Sequence, residues 1–208
     1  MPEPDTVKIA DIFSSAQGEG VRMGNPAVFV RLAGCSLACD FCDTPEALSG
    51  GVEMDVANVL AQVSRLALFA GFQVVITGGE PLEQDLVPLT VALARAGYFL
   101  SVETNGLHFQ DLAVNWWTVS PKPAAAFRVH PRIRPLADEV KLVVTPEVSV
   151  QVVRRLRKHM PRPSIFLQPD ARNDMGYTNA RNLFEHCIRE GIAGVRLGLQ
   201  LHRVYGMP

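Results

Sequence analysis

The stretch Val28-Phe29-Val30-Arg31-Leu32-Ala33-Gly34-Cys35-Ser36-Leu37-Ala38-Cys39-Asp40-Phe41-Cys42-Asp43-Thr44 decides how the chain folds. Residues 28–32 are apolar apart from Arg31, the pattern of a strand in a sheet covered on at least one face. Gly34 opens a loop, and the loop carries three cysteines spaced C-x3-C-x2-C. A chemically equipped loop directly after a strand belongs to parallel α/β sheets, whose ligand sites lie at the carboxyl ends of the strands.

Working outward, β-rich runs recur at Val7 to Phe13, Ala27 to Leu32, Gln73 to Thr77, Tyr98 to Val102, Trp116 to Ser120, Val140 to Val144, Ser164 to Gln168 and Gly194 to Leu199. Most read as continuous apolar segments rather than alternating ones, which suits parallel strands. Helical periods occupy Asp55 to Ala70 with Gly71 as the stop, Leu86 to Ala96, Pro146 to His159, and a helix capped by Thr178 that runs to Glu190. Strand and helix alternate as in right-handed βαβ units. The Tyr98 and Trp116 runs are too close for an ordinary helical crossover, and Pro121 to Pro135 has no helical period. A complete eight-unit barrel takes about 250 residues, and this chain has 208. The expected fold is therefore α/β: a partial, modified TIM-like barrel of about six parallel core strands with a reduced set of helices. One domain is expected over 1–208, with an N-terminal segment 1–26, a barrel core 27–200 and a tail 201–208 closing the site.

Composition narrows the partners. Twenty Lys and Arg face 21 Asp and Glu, a formal charge of −1, so there is no overall basic field for nucleic acid or an anionic membrane. The start of the chain is mixed and acidic rather than leader-like, and no apolar run approaches the roughly 18 residues of a membrane span. A cytoplasmic, soluble protein is expected, without a nucleic-acid or membrane partner. In that compartment a disulfide framework is disfavoured, and the cysteine cluster reads as metal or redox chemistry.

A C-x3-C-x2-C loop brings three thiolates to one polynuclear cluster and leaves one iron without a protein ligand, open for reaction. Structural zinc prefers four protein ligands in paired spacing, and no second pair follows here. The spacing also differs from the four-cysteine runs of ferredoxins. Buried thiols, or zinc completed by a distant His, stand as the alternative. A second feature is Thr77-Gly78-Gly79-Glu80-Pro81 at the end of the Gln73 run. Glycines there expose backbone groups to a small ligand, although such a turn alone is ordinary punctuation.

Together these residues resemble the radical S-adenosylmethionine (SAM) superfamily. The resemblance implies that Cys35, Cys39 and Cys42 hold a [4Fe-4S] cluster whose fourth iron is chelated by the amino and carboxylate groups of SAM. Reduction then yields methionine and a 5′-deoxyadenosyl radical, and Gly79 carries the SAM amino-group contact.

Further segments narrow the likeness: Gln17-Gly18-Glu19-Gly20, Phe29-Val30-Arg31-Leu32-Ala33-Gly34-Cys35, Cys42-Asp43-Thr44, Glu103-Thr104-Asn105-Gly106 and Ser120-Pro121-Lys122. From Gln17 to His202 the chain resembles the 7-carboxy-7-deazaguanine synthase family of queuosine and 7-deazapurine biosynthesis, a tRNA-modification pathway. The resemblance implies a carbon–nitrogen lyase that contracts 6-carboxy-5,6,7,8-tetrahydropterin with loss of ammonia and uses SAM catalytically. A Mg²⁺ ion on Thr44, a reducing partner such as flavodoxin or ferredoxin, and a homodimer are likewise implied.

By the same likeness, Phe41, Cys42, Asp43, Gly79, Ser120, Pro121, Lys122 and Gln168 meet SAM. Ala16, Gln17, Gly18, Glu19, Arg31, Thr77 and the Pro208 carboxylate meet substrate. Bland readings stand beside several of these. Arg31, a charge in an apolar strand, faces the barrel mouth or pairs internally with Glu103; Ser120 and Gln168 are site groups or strand-end caps; Pro208 closes the site or frays. The alternative functions are a glycyl-radical-type activating enzyme and a non-catalytic zinc or electron-transfer module.

Overall fold

The computed structural model describes residues 5–37, 39–69, 72–170 and 172–208. One sheet runs through all of it, in the order β3-β1-β2-β4-β5-β6-β7-β8-β9. The strands are β1 (Thr6–Ala16), β2 (Pro26–Leu32), β3 (Val52–Asp55), β4 (Gln73–Gly78), β5 (Phe99–Thr104), β6 (Trp116–Val119), β7 (Glu139–Val144), β8 (Ser164–Pro169) and β9 (Val195–Leu197). From β2 to β9 all pairings are parallel. At one edge β1 runs antiparallel to β2, and β3 antiparallel to β1. The sheet stays open between β3 and β9, which makes it a partial barrel.

Four helices cover the outer face: α1 (Val56–Leu66), α2 (Val87–Arg95), α3 (Val150–His159) and α4 (Gly176–Arg189); a short α5 (Leu201–Tyr205) follows β9. Asp55 caps α1 by accepting a hydrogen bond from the Asn58 amide; the helix ends at Leu66 rather than at the expected Ala70, and Ala70 and the expected stop Gly71 themselves lie outside the described residues. Two other boundaries differ from the sequence reading. Helix α3 begins at Val150 behind Ser149 rather than at Pro146, and α4 begins at Gly176, two residues before Thr178; local turns after each strand set these starts. Between β5 and β6, and between β6 and β7, there is no helix beyond a single turn at Pro123–Ala125. Buried Phe127, Val129 and Ile133 from the Pro-rich segment seal that gap.

The strands alternate more than their sequences suggest. Val28, Val30, Leu32, Val74, Ile76, Leu100, Val102, Val140, Leu142, Ile165 and Leu167 point outward into the core under the helices. The intervening positions point inward, and several of these are polar or charged: Arg31, Thr77, Glu103, Lys141 and Gln168 line a central cavity. The continuous apolar pattern is thus corrected to a two-sided one, with one face dry and one built for a ligand. Among the described residues, no helix is long and apolar enough to cross a membrane.

Candidate active site

The three cysteines stand on the loop after β2, and that loop is clamped by the segment after β4. The Gly34 amide donates to Ala47 O and the Glu80 amide to Gly34 O, both at 2.8 Å. Glu83 accepts from the Ser36 amide and from the Ser36 hydroxyl, and the Gln84 side-chain amide donates to Ala33 O at 2.8 Å. Glu80, only 1 % exposed, ties the next motif in. Its carboxylate accepts from the Thr104 hydroxyl at 2.5 Å, the Asn105 amide at 2.6 Å and the Leu82 amide at 3.1 Å. Burial pushes this carboxyl above its ordinary range, and the three donors oppose that rise. The Ser120 amide in turn donates to Thr104 O at 2.7 Å. Four motifs distant in sequence therefore form one hydrogen-bonded rim.

Inside the rim is a cavity of about 290 Å³. Cys35, Cys39 and Cys42 line it half-buried and unpaired by disulfides. Burial pushes the Cys35 and Cys39 thiols up, with Lys122 counteracting at Cys39; binding a soft metal would release those protons. Among the described residues no three His, Cys, Asp or Glu side chains gather as around a single ion. Three thiols opening on a common cavity suit a larger cluster, and that donor set is the soft one iron–sulfur chemistry uses. Lys122 lies over the Phe41 ring at 5.7 Å and donates to the Ser120 hydroxyl at 2.8 Å; burial and the nearby Lys141 lower its pKa. Asn105 Nδ2 and Gln168 Oε1 are buried without partners. Unspent polar atoms on a lined cavity fit a polar cofactor.

The cavity floor comes from the β1–β2 hairpin. Ala16 pairs with Pro26, the first residue of β2, so the loop leaves at the amino ends of the parallel strands. It then folds inward: Gln17 Nε2 donates to Glu103 at 3.0 Å, and Lys141 Nζ donates to Glu19 at 2.5 Å and Glu103 at 2.6 Å. The tail joins it. The Leu201 amide donates to Gly18 O at 2.8 Å, Gln200 Nε2 to Glu19 at 2.8 Å and the Ser15 hydroxyl to Pro208 O at 2.7 Å. A Cβ on Gly18 would fall 1.9 Å from His202 Nδ1, so a larger residue there would displace the His202 ring.

Of the residues that sequence reading placed at the site, Ala16, Gln17, Gly18, Glu19, Arg31, Cys35, Cys39, Phe41, Cys42, Asp43, Thr44, Thr77, Gly79, Ser120, Lys122, Gln168 and Pro208 all line the one cavity. Pro121 is the exception; it is buried and does not line it. The internal pair between Arg31 and Glu103 does not form, because Lys141 has taken Glu103. Arg31 instead lies 5.0 Å over the Phe13 ring and 3.8 Å from exposed Glu46. Pro208 is folded against the site rather than frayed. Residues the sequence reading missed include Phe13 and Phe29, stacked at 5.2 Å, as well as Arg172, His202 and Lys141. For Lys141 a signal existed: it is a charge in the run Val140 to Val144, the same argument applied to Arg31.

Comparison with known proteins agrees with this geometry. Residues 29–169 match the model of the Radical SAM superfamily. A 7-carboxy-7-deazaguanine synthase of Methanospirillum hungatei is 35% identical over 97% of this chain and 86% of its own length. The Neisseria meningitidis enzyme of the same name is 35% identical over 97% of this chain and 90% of its own. The crystal structure of QueE from Escherichia coli superposes with a TM-score of 0.74 at 30% identity, covering 95% of each chain. The chain belongs to the 7-carboxy-7-deazaguanine synthase family of the radical SAM superfamily.

Proposed function

We propose that this protein is a radical SAM lyase that converts 6-carboxy-5,6,7,8-tetrahydropterin to 7-carboxy-7-deazaguanine and ammonia, with SAM used catalytically and Mg²⁺ required. The observation that carries the reading is the joining of a cysteine wall and an inserted polar floor in one cavity. The cluster and SAM, when bound, supply a carbon-centred radical able to take a hydrogen from a carbon that no side-chain base can deprotonate. The chain's own residues bind, orient and shield.

Cys35, Cys39 and Cys42 would hold the cluster. Gly79, Ser120 and Gln168 on the rim, with Phe41, Cys42 and Asp43 on the loop, would hold SAM; Lys122 stands among them half-buried. Below them Ala16, Gln17, Gly18 and Glu19 form a floor of acceptors for the amidine and lactam N–H groups of a pterin. Arg31 and Thr77, adjacent across the β2–β4 pairing, and Pro208 would frame it from the sides. The folded-back tail, tied to Ser15 and Gly18, would limit water access and so protect a radical from quenching.

Thr44 heads a 3-10 turn without capping it, and its hydroxyl is spent only on Asp43 at 3.2 Å. A hydroxyl so placed suits Mg²⁺, whose remaining positions substrate and water would fill. Thr44→Ala is expected to raise the Mg²⁺ concentration for half-maximal rate by at least roughly tenfold, since loss of an outer partner alone costs about 10- to 100-fold in metal affinity, while SAM affinity is expected to stay unchanged. A Mg²⁺ titration of rate beside calorimetric SAM binding checks this; an unchanged Mg²⁺ response removes Thr44 from the site.

The reading as a whole is tested by incubating reduced, reconstituted protein with SAM, Mg²⁺ and the carboxytetrahydropterin. Carboxydeazaguanine and ammonia are expected in equal amounts, with SAM conserved. SAM cleavage without either product would leave the superfamily chemistry and remove this substrate. Substrate-independent activation of a glycyl-radical partner would favour the alternative. A dependence on a flavodoxin- or ferredoxin-class donor, and a dimer in solution, belong to the same proposal.

A further inference from the structure

Lys141 occupies the centre of the floor, 8 % exposed, and bridges carboxylates on two separate segments. Glu19 belongs to the inserted loop and Glu103 to β5; the Lys141 ammonium is 2.5 Å from the first and 2.6 Å from the second. Three buried charges stabilise a fold poorly, because desolvation consumes what attraction provides. Their arrangement makes sense as positioning. The loop has no strand of its own between Gln17 and Asn25, so nothing in the sheet ladder holds Glu19 in place. Lys141 does so from β7, and Gln200 and Gln168 complete the grip by donating to the other Glu19 oxygen at 2.8 Å and 3.4 Å.

We propose that Lys141 is a positioning residue: by bridging Glu19 and Glu103 it locks the 17–19 loop in its ligand-binding arrangement and sets the affinity of the floor for an N–H-rich heterocycle edge. This rests on the pterin reading above. Electrostatics agree with the geometry. Burial alone would lower the Lys141 pKa, but Glu103 and Glu19 hold it well above the ordinary lysine value; burial would raise Glu103, and Lys141 brings it below the ordinary carboxylate range. Other charged groups face the bridge as well: Lys122 beyond β6, Glu139 on β7, Asp43 on the cysteine loop and His202 on α5. None of them forms an ion pair with Glu19 or Glu103, so removal of Lys141 leaves two facing carboxylates that keep a proton between them.

The test uses SAM-loaded, reconstituted holoenzyme and the non-reacting oxidised probe 6-carboxypterin, titrated by calorimetry between pH 6 and 7.5. The wild-type Kd is expected to be flat over that window. Lys141→Met is expected to weaken binding at least tenfold at pH 6.5, and further as pH rises and the two facing carboxylates lose the proton they share. Lys141→Arg, which keeps the charge, should bind within threefold of wild type and stay flat. Melting temperature and cluster absorbance report whether each variant is folded and loaded. A Met variant within twofold of wild type, or Met and Arg variants weakened alike without pH dependence, would overturn the proposal. Should Lys141→Met not fold, Lys141→Met with Glu103→Gln removes the cation and one of its two carboxylates together; it too should weaken binding tenfold, and wild-type affinity there would overturn the idea. Wild-type protein that binds no pterin at all, yet cleaves SAM, would bring down the substrate reading itself rather than the role of Lys141 within it.

Discussion

Cys35→Ala, Cys39→Ala and Cys42→Ala are each expected to abolish both the charge-transfer absorbance of a reconstituted cluster and the reductive cleavage of SAM. On the proposed reading the loop would leave one coordination position to the cofactor, and the three thiolates would be the whole protein share of the ligand set. Loss of an outer partner already costs roughly 10- to 100-fold in metal affinity, and loss of a thiolate ligand is expected to cost more. The thiols are half-buried and the clamp from Ser36 to Glu83 does not involve them. The apo-variants should therefore fold like the wild type. Iron content, absorbance near the thiolate-to-iron band and deoxyadenosine release check the prediction. The buried Cys187, far along α4, is the internal control: Cys187→Ala should load its cluster normally.

Gly79→Ala carries the second large effect, through packing rather than ligation. The backbone of Gly79 passes so close to the cysteine loop that an added Cβ would lie 2.1 Å from Gly34 O and 3.0 Å from Ala47 O. Neither neighbour is a flexible side-chain end. Gly34 is fixed by its own amide bond to Ala47 and by accepting from the Glu80 amide, so the methyl must push the cysteine loop away from β4. Overpacking of this kind costs about 1–3 kcal/mol, a tolerable loss for folding. The consequence at the site is larger, since a displacement of about 1 Å at a reacting centre can cost roughly 100-fold in rate. SAM-cleavage rate should fall by about that factor, with a smaller drop in melting temperature. A cleavage rate within a few-fold of wild type would show that the loop and strand end are not coupled as described. Leu82→Ala, one turn further along and buried in the core, should reverse the pattern, lowering stability by about 2–5 kcal/mol with less effect per folded molecule on cleavage.

Much of the site was readable because the chemistry lies in short contiguous motifs. The cysteine spacing, the Gly-Gly-Glu-Pro turn and the Gln-Gly-Glu-Gly loop each present their functional groups within a few residues, where local geometry suffices. The incomplete helical layer was readable for a similar reason: proline density and short gaps exclude helices whatever surrounds them. Strand β3 and helix α5 escaped notice because each is only a few residues long, below the length at which periodicity speaks. The inward polar faces also escaped. One Lys in Val140 to Val144 or one Glu beside Val102 looks like an exception in an apolar run, until neighbouring strands stack those exceptions on the same side.

Long-range pairing decided the rest. The chain's own letters suffice for a cluster-binding loop after the second strand, a parallel sheet with too few helices, and a family with a defined chemistry. They do not show that Lys141 reaches Glu19 across 122 residues of chain, that Glu103 is thereby withdrawn from Arg31, or that Pro208 returns to the Ser15 hydroxyl. Those partners are selected by register and by closure of the sheet. A buried charge must find an opposite charge somewhere, and which one it finds depends on what the fold brings within about 3 Å.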